Sequence, residues 1–410
     1  MDCKGIPSYL WSMNQSGDES TLCVMPWMAL GTVNDGRTRL CCHMSGPDIY
    51  LQDTARNPLK LSSHSTKEIR QADDASRIRA QMSKGHKPEA CKKCWNEEVV
   101  GIESFRQIAN RRWPVEFRAL CTSPTNLLSL KYLDLRLGNL CNLSCKMCNP
   151  YSSRNLIENW PALESLGSMT GDGVSIDQAK LNALSCLDWI EAPRAWEHLD
   201  EAVREVDTIY FSGGEPLILK RHEQILRRLV EQGCARNISL KYSTNLTVLP
   251  AAILELWQQF KAIEINVSLD GVDQLNSYIR PPDKWALILK NFDLLKPTPY
   301  QVQVVTTVQI YNAFRLPEIQ TFAECLGVKW SMNFLHQPRL FSVKSLPHQL
   351  KVRLRHRLGE SERLKAVADF ADSADWSLEY KDFLKVTQFY EGLTAAGAKL
   401  AELVPELTET

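Results

Sequence analysis

The run Leu140-Cys-Asn-Leu-Ser-Cys-Lys-Met-Cys-Asn-Pro150 places Cys141, Cys145 and Cys148 in a C-x3-C-x2-C triplet, directly after a predicted strand at 131–137. Three closely spaced thiolates are one short of the four that close a tetrahedral zinc or iron–sulfur site. An iron–sulfur cube held by three cysteines leaves one iron open to a substrate or cofactor. The triplet therefore points to chemistry at a metal rather than to a structural staple.

Outward from this run, strand-like and helix-like stretches alternate. Strands are predicted at 131–137, 207–211, 238–243, 263–269, 301–309 and 328–335, with amphipathic stretches such as 220–232 and 251–260 between them. Six β units joined by helical crossovers predict an α/β fold with a parallel sheet or partial (β/α)6 TIM-type barrel over 130–340. Segment 151–206 is an oversized first crossover, interrupted by Gly171-Asp172-Gly173, and reads as a lid; 341–410 reads as a C-terminal helical segment.

Upstream of the barrel, residues 1–20 read as a loose end. Asn34-Asp35-Gly36 between two short β-like runs predicts a hairpin, because glycine tolerates the positive φ such turns need. Helices are expected at 67–83 and 96–111, with Cys91-Lys-Lys-Cys94 in a tight loop between them and a Pro/Ser/Thr-rich linker at 121–129. Residues 21–120 thus form a small hairpin-containing N-terminal domain.

Composition narrows the function classes. Across 410 residues Lys+Arg and Asp+Glu balance at 48 each, so no bulk attraction to nucleic acid or anionic lipid is expected. Nowhere do about 18 apolar residues run together, and no signal peptide is read at Met1-Asp-Cys-Lys-Gly-Ile-Pro-Ser8, so no membrane partner is expected. Thirteen cysteines without such a signal point to a reducing, cytoplasmic setting and to metal ligation rather than disulfides.

Loops after the C-terminal ends of barrel strands build active sites. The second predicted strand ends in Phe211-Ser-Gly-Gly-Glu-Pro216, where Ser212 and the glycine pair Gly213-Gly214 let backbone approach a ligand and Glu215 adds a negative group suited to an amine. The third ends in Tyr242-Ser-Thr-Asn245 and the fourth in Asn266-Val-Ser-Leu-Asp270. They bring Ser243, Asn245, Ser268 and Asp270 to the same rim, and Arg280 could meet a carboxylate there.

These residues resemble a radical S-adenosylmethionine (SAM) enzyme. Cys141, Cys145 and Cys148 match that superfamily's cluster triplet, and Gly213-Gly214-Glu215-Pro216 matches its SAM-amine motif; the resemblance covers roughly residues 130–340. It implies a [4Fe–4S] cluster whose open iron is chelated by SAM, one-electron cleavage of SAM to a 5′-deoxyadenosyl radical, and hydrogen abstraction from a substrate. By the same carry-over Ser243, Asn245, Ser268 and Asp270 contact the ribose or the methionine carboxylate. A flavodoxin- or ferredoxin-type reductant is the implied electron donor. The competing reading of the triplet is a zinc site completed by a distant ligand.

Cys23, Cys41, Cys91 and Cys94, in the pattern C-x12-G-x4-C then C-x2-C, form a second set. The set is similar to the twitch module, the single-cluster relative of the SPASM domain. That likeness implies an auxiliary [4Fe–4S] cluster, hence a second cluster in the chain, although here the module precedes the barrel instead of following it. Either of Cys41 and Cys42 could be the second ligand, with the Gly36 spacing favouring Cys41. A four-cysteine structural zinc is the alternative.

Strand parity predicts which side chains face the barrel lumen: Tyr132, Asp134 and Arg136; Lys241, Ser243 and Asn245; Asn266, Ser268 and Asp270. Asp134, Arg136, Lys241 and Asn266 are then either a paired structural network or a pocket for a polar small-molecule or peptide substrate. Cys121, Cys186, Cys234 and Cys325 read as small buried hydrophobes, or as hydrogen-atom donors of the kind found in radical epimerases. Lys351, Arg353, Arg355 and Arg357 read as a solvated helix face. The expectation is a two-cluster radical SAM oxidoreductase that abstracts hydrogen from an unactivated C–H bond, with net oxidation through the auxiliary cluster. Its rivals are a peptide-modifying maturase or epimerase and a non-catalytic iron–sulfur or zinc-binding protein.

Overall fold

The computed structural model describes residues 21–44, 49–99, 101–167, 169, 176–359, 361–393 and 397–408. The expected loose N-terminus at 1–20 and the Gly171-Asp172-Gly173 interruption lie outside the described residues.

Eight strands form one sheet in the order β2-β1-β3-β4-β5-β6-β7-β8. They are β1 (Ala29–Thr32), β2 (Thr38–Arg39), β3 (Tyr132–Arg136), β4 (Thr208–Ser212), β5 (Ser239–Thr244), β6 (Ala262–Ser268), β7 (Gln301–Val308) and β8 (Lys329–Phe334). Every pairing from β1 through β3 to β8 is parallel; only the β1–β2 hairpin is antiparallel. The six expected strands are all present within a residue or two of their predicted bounds. The predicted hairpin also forms, closed by hydrogen bonds from Val33 N to the Arg37 carbonyl and from Gly36 N to the Val33 carbonyl, with Gly36 at φ +83°. Its first strand pairs with β3, Gly31 opposite Asp134, so the upstream segment extends the same parallel sheet.

The alternation in these strands explains the layering. Leu133, Leu135, Ile209, Phe211, Leu240, Tyr242, Ile263 and Ile265 share one face and are buried. Against that face the helix Lys220–Glu231 presents His222, Ile225, Leu226 and Leu229, spaced to form one stripe. Each fully buried aliphatic side chain contributes about 1.5–3 kcal/mol. In this layer the Tyr242 hydroxyl takes a hydrogen bond from Trp257 Nε1 and pairs with His222 Nε2, both at 2.9 Å, while His222 Nδ1 is buried without a partner.

The opposite face is polar, as parity predicts, and its lower part is filled. Lys241 lies 3.5 Å from Glu264, which also receives a bidentate contact from Arg112 at 2.6 and 3.0 Å. Trp113 packs edge-on against Tyr132. Arg112 and Trp113 end the helix Phe105–Arg112, so the upstream segment closes the bottom of the polar face.

Three local expectations change. The stretch 67–83 is two helices, Thr66–Gln71 and Asp73–Ser83, because Ala72 takes extended ψ between them. The stretch 96–111 also splits, into Lys92–Val99 and Phe105–Arg112, the second started afresh by a capping box of Ser104 and Gln107. Cys91 and Cys94 therefore sit on a short 3-10 turn and the first turn of a helix, not in a loop. In the C-terminal helices Lys351 is buried and donates to the Ala374 carbonyl, so it is not on a solvated face; Arg355 and Arg357 pair with Asp369, Asp372 and Glu318 at the surface.

Candidate active site

The cysteine triplet lies on the loop that leaves the C-terminal end of β3, and many hydrogen bonds fix that loop. Ser144 N and Lys146 N donate to the carbonyls of Pro281 and Ile279 at 2.6 and 3.0 Å. Asn139 Nδ2 donates to the carbonyls of Pro150 and Leu184, and Ser153 Oγ to that of Leu143. Lys146, between two of the cysteines, is buried with its ammonium 3.2 Å from the Tyr278 ring centroid and 5.4–5.5 Å from those of Tyr311 and Tyr390. That cage ties the loop to the C-terminal helix Tyr380–Leu393.

The glycine pair docks against this loop. Gly213 and Gly214 have φ of +80° and +58°, a region that L side chains rarely adopt. A Cβ on Gly214 would fall 2.3 Å from the Leu140 carbonyl oxygen, and one on Gly213 would fall 2.3 Å from Asn34 Oδ1 and 3.1 Å from the Arg136 stem. Glu215 N then donates to that same Leu140 carbonyl at 2.9 Å. The two motifs, some 65 residues apart in the chain, thus form one surface of closely packed backbone.

Glu215 turns inward. Its carboxylate accepts from Leu217 N, Thr244 Oγ1 and Asn245 N at 3.1, 2.7 and 2.7 Å, bracing the end of β5. Burial pushes its pKa up to about 7, against those donors. Asn245 in turn receives Thr247, and its Nδ2 donates to Asn142 Oδ1 at 2.9 Å, while Asn142 Nδ2 reaches Thr247 Oγ1 at 2.7 Å. Asn142, Thr244 and Thr247 escaped the sequence reading; their one signal was adjacency to Cys141 and Asn245.

Asp270 and Arg280 are partners of each other. Arg280 Nε lies 2.7 Å from Asp270 Oδ2, and Asp270 Oδ1 accepts from Thr307 N at 2.7 Å. The guanidinium continues to the cluster loop, with Nη1 3.7 Å from Cys145 Sγ. The hydrogen bond shared with Cys148 lowers the Cys145 pKa and raises that of Cys148, with Arg280 drawing Cys145 further down. Burial pushes Cys141 up to about 12.

The remaining predicted rim residues are partly occupied. Ser243 Oγ lies 2.6 Å from the Tyr210 hydroxyl, Asn266 Oδ1 accepts from Gln303 Nε2 at 2.5 Å, and Ser212 Oγ donates to Asp134 at 3.3 Å. Asp134 is also paired with Arg39 at 3.3 Å. Ser268 is partly exposed at the end of β6.

Cys23, Cys41, Cys91 and Cys94 line one small apolar cavity together with His43, Phe105 and Arg106. The charges acting on Cys41 include those of Cys23 and Cys94, whereas Cys42 lies in the field of Asp134, Arg39 and Arg136. The two adjacent thiols therefore face different sites, Cys41 the upstream cage and Cys42 the polar face of the sheet. His43, Cys94 and Glu97 bring ligand atoms within 4.8 Å of one another. Neither His43 nor Glu97 was singled out from sequence. Of the other thiols, Cys121, Cys186 and Cys325 are exposed and Cys234 is partly exposed, so none is a buried hydrophobe.

No helix among the described residues is long and apolar enough to cross a membrane. Similarity to known proteins covers part of the chain. A protein of Methanothermobacter thermautotrophicus, described only as uncharacterized, is 27% identical over 149 residues, or 36% of this chain. The chain spans about half, 55%, of that relative's length. Among solved structures, Streptococcus suis SuiB bound to S-adenosylmethionine overlaps 70% of this chain and 62% of its own at 13% identity, with a TM-score of 0.34. Hexahistidine-tagged anSMEcpe with bound AdoMet overlaps 66% and 60% at 15% identity and the same score. Those scores are too low to transfer any residue's role. The family model described as the Radical SAM superfamily matches residues 135–311. Residues 135–311, which hold both the cysteine triplet and the glycine turn docked on it, are thus a radical SAM domain, the domain of enzymes that draw radical chemistry from S-adenosylmethionine.

Proposed function

We propose that this chain is a radical SAM enzyme that removes a hydrogen atom from an unactivated C–H bond of a polar substrate, with net oxidation through a second cluster. Cys141, Cys145 and Cys148 would hold a [4Fe–4S] cluster, and the rim of Ser212–Glu215, Asn245 and Ser268 would hold SAM. The observation that carries this reading is the docking of Gly214 on the Leu140 carbonyl, where no side chain larger than hydrogen fits. When bound, cluster and SAM supply a one-electron cleavage that yields methionine and a 5′-deoxyadenosyl radical.

The chain's own residues prepare that site. Arg280 places positive charge 3.7 Å from Cys145 Sγ, favouring thiolate there, and Asp270 holds Arg280 in place. Glu215 fixes the end of β5, so Asn245 meets the cluster loop through Asn142. With both Asp270 oxygens engaged, a ribose contact would fall to Ser268 and to the backbone around it.

Cys23, Cys41, Cys91 and Cys94 would hold the auxiliary [4Fe–4S] cluster. The twitch-like spacing C-x12-G-x4-C then C-x2-C, together with the one cavity that all four thiols line, supports this reading.

The test is anaerobic reconstitution, dithionite reduction and assay for 5′-deoxyadenosine from SAM. About eight irons per chain are expected, and Cys145→Ala should abolish 5′-deoxyadenosine while keeping the upstream irons. Protein loaded with about eight irons that forms no 5′-deoxyadenosine would sink the proposal.

A further inference from the structure

Charges on the upper part of the polar face do not balance. Asp134 is matched by Arg39. Arg136, next on the same face of β3, has no ion pair and no side-chain hydrogen bond among the described residues, and its Nε is buried without a partner. Arg39 is 5% exposed and spends only Nη2 on Asp134; its Nε too is buried and unpartnered. His43 Nδ1 and His336 Nε2 are in the same condition.

The two arginines belong to one place: Arg39 acts directly on Arg136, and both lie in the field of Asp134 and Cys42. His43 lines the upstream cysteine cavity and His336 packs edge-on against Phe370. The Arg136 stem packs beneath Gly213, so the cluster of donors abuts the glycine turn on one side and the Cys41-Cys42-His43 stretch on the other. The carboxylate that acts most strongly on Arg136 is that of Asp134, which Arg39 already engages.

Two neighbouring guanidiniums that share one carboxylate, each with a buried unpartnered Nε, are costly to hold, and a planar anion offering two oxygens would satisfy them. We propose that Arg136, with Arg39 beside it, binds an anionic group of the substrate, a carboxylate or a phosphate, between the glycine turn and the upstream cysteine cage. That the anion belongs to the substrate rests on the radical SAM reading; that an anion binds at Arg136 does not. The alternative source of the same chemistry is the methionine carboxylate of SAM itself.

The experiment is calorimetric titration of anaerobically reconstituted protein, saturated with SAM, first with glutarate and then with inorganic phosphate. Wild-type protein is expected to bind at least one of them saturably below about 50 mM. Arg136→Met should weaken that binding about tenfold or more, Arg136→Lys less, and the surface control Arg227→Met not at all. SAM affinity should stay unchanged in Arg136→Met. The proposal is overturned if wild type binds neither anion, if Arg136→Met binds as wild type does, or if that variant chiefly loses SAM. Should Arg136→Met not fold, Arg136→Lys decides, because it keeps the charge and loses the two-pronged geometry. The same samples are assayed for 5′-deoxyadenosine; anion binding without that product refutes the radical reading and leaves the anion site standing.

Discussion

The carbonyl oxygen of Leu140 lies 2.3 Å from the point where a side chain on Gly214 would begin, and it accepts a hydrogen bond from the next residue, Glu215. One oxygen therefore joins the cysteine loop after β3 to the turn after β4. Gly214→Ala would force an alanine into φ +58°, at a cost of about 1–2 kcal/mol, and push the two loops apart as well. The expected outcome is folded protein whose upstream irons remain and whose yield of 5′-deoxyadenosine drops at least about a hundredfold, or about 2.7 kcal/mol. Iron analysis and chromatography of the nucleoside check it.

Asp270 and Arg280 form a buried pair that also steadies Cys145. Replacing Asp270 by Asn leaves the guanidinium without its counter-charge and should cost about 3–5 kcal/mol of folding stability. Urea midpoints of Asp270→Asn, Arg280→Met and the double variant form a cycle. The double variant should recover part of the loss, and strict additivity would show that the pair is not coupled.

Cys41 and Cys42 are adjacent in the chain but face different sites. Cys41→Ala should lose about four of about eight irons, while Cys42→Ala keeps them all. Equal iron loss in both variants would contradict the orientation of the two thiols.

Burial lowers the His222 pKa from 6.5 to about 3, behind its hydrogen bond to Tyr242. Below pH 6.5 the unfolded chain takes up a proton that folded His222 refuses, so the unfolded state gains and stability falls as pH drops toward 3. At pH 5.5, one unit below the ordinary value, this costs about 1.4 kcal/mol relative to pH well above 6.5. His222→Gln should remove that share of the pH dependence, read as the change in urea midpoint between pH 7.5 and 5.5.

The six parallel strands were legible in the sequence because each is a short apolar alternation bounded by turn residues, and burial on one face enforces that pattern. Strand parity likewise identified Asp134, Arg136, Lys241 and Asn266 as one face. What parity does not carry is pairing between segments. Lys241 is paired with Glu264, which is also held by Arg112, some 130 residues upstream of Lys241 in the chain, while Arg136 is left without a partner. Asn142, Lys146 and His43 were missed for the same reason, since each acquires its surroundings only when distant segments close around it.

By itself the sequence determined the parallel α/β order, the cysteine triplet and the glycine turn, because period-two burial, ligand spacing and φ preference act over a few residues. Only the tertiary structure decided that the turn rests on the Leu140 carbonyl, that β1 extends the sheet beside β3, that Cys41 rather than Cys42 faces the upstream cage, and that Asp270 is occupied by Arg280. Those outcomes depend on which charges and backbone atoms meet across long stretches of chain, and desolvation gives such meetings their energy once the sheet has formed.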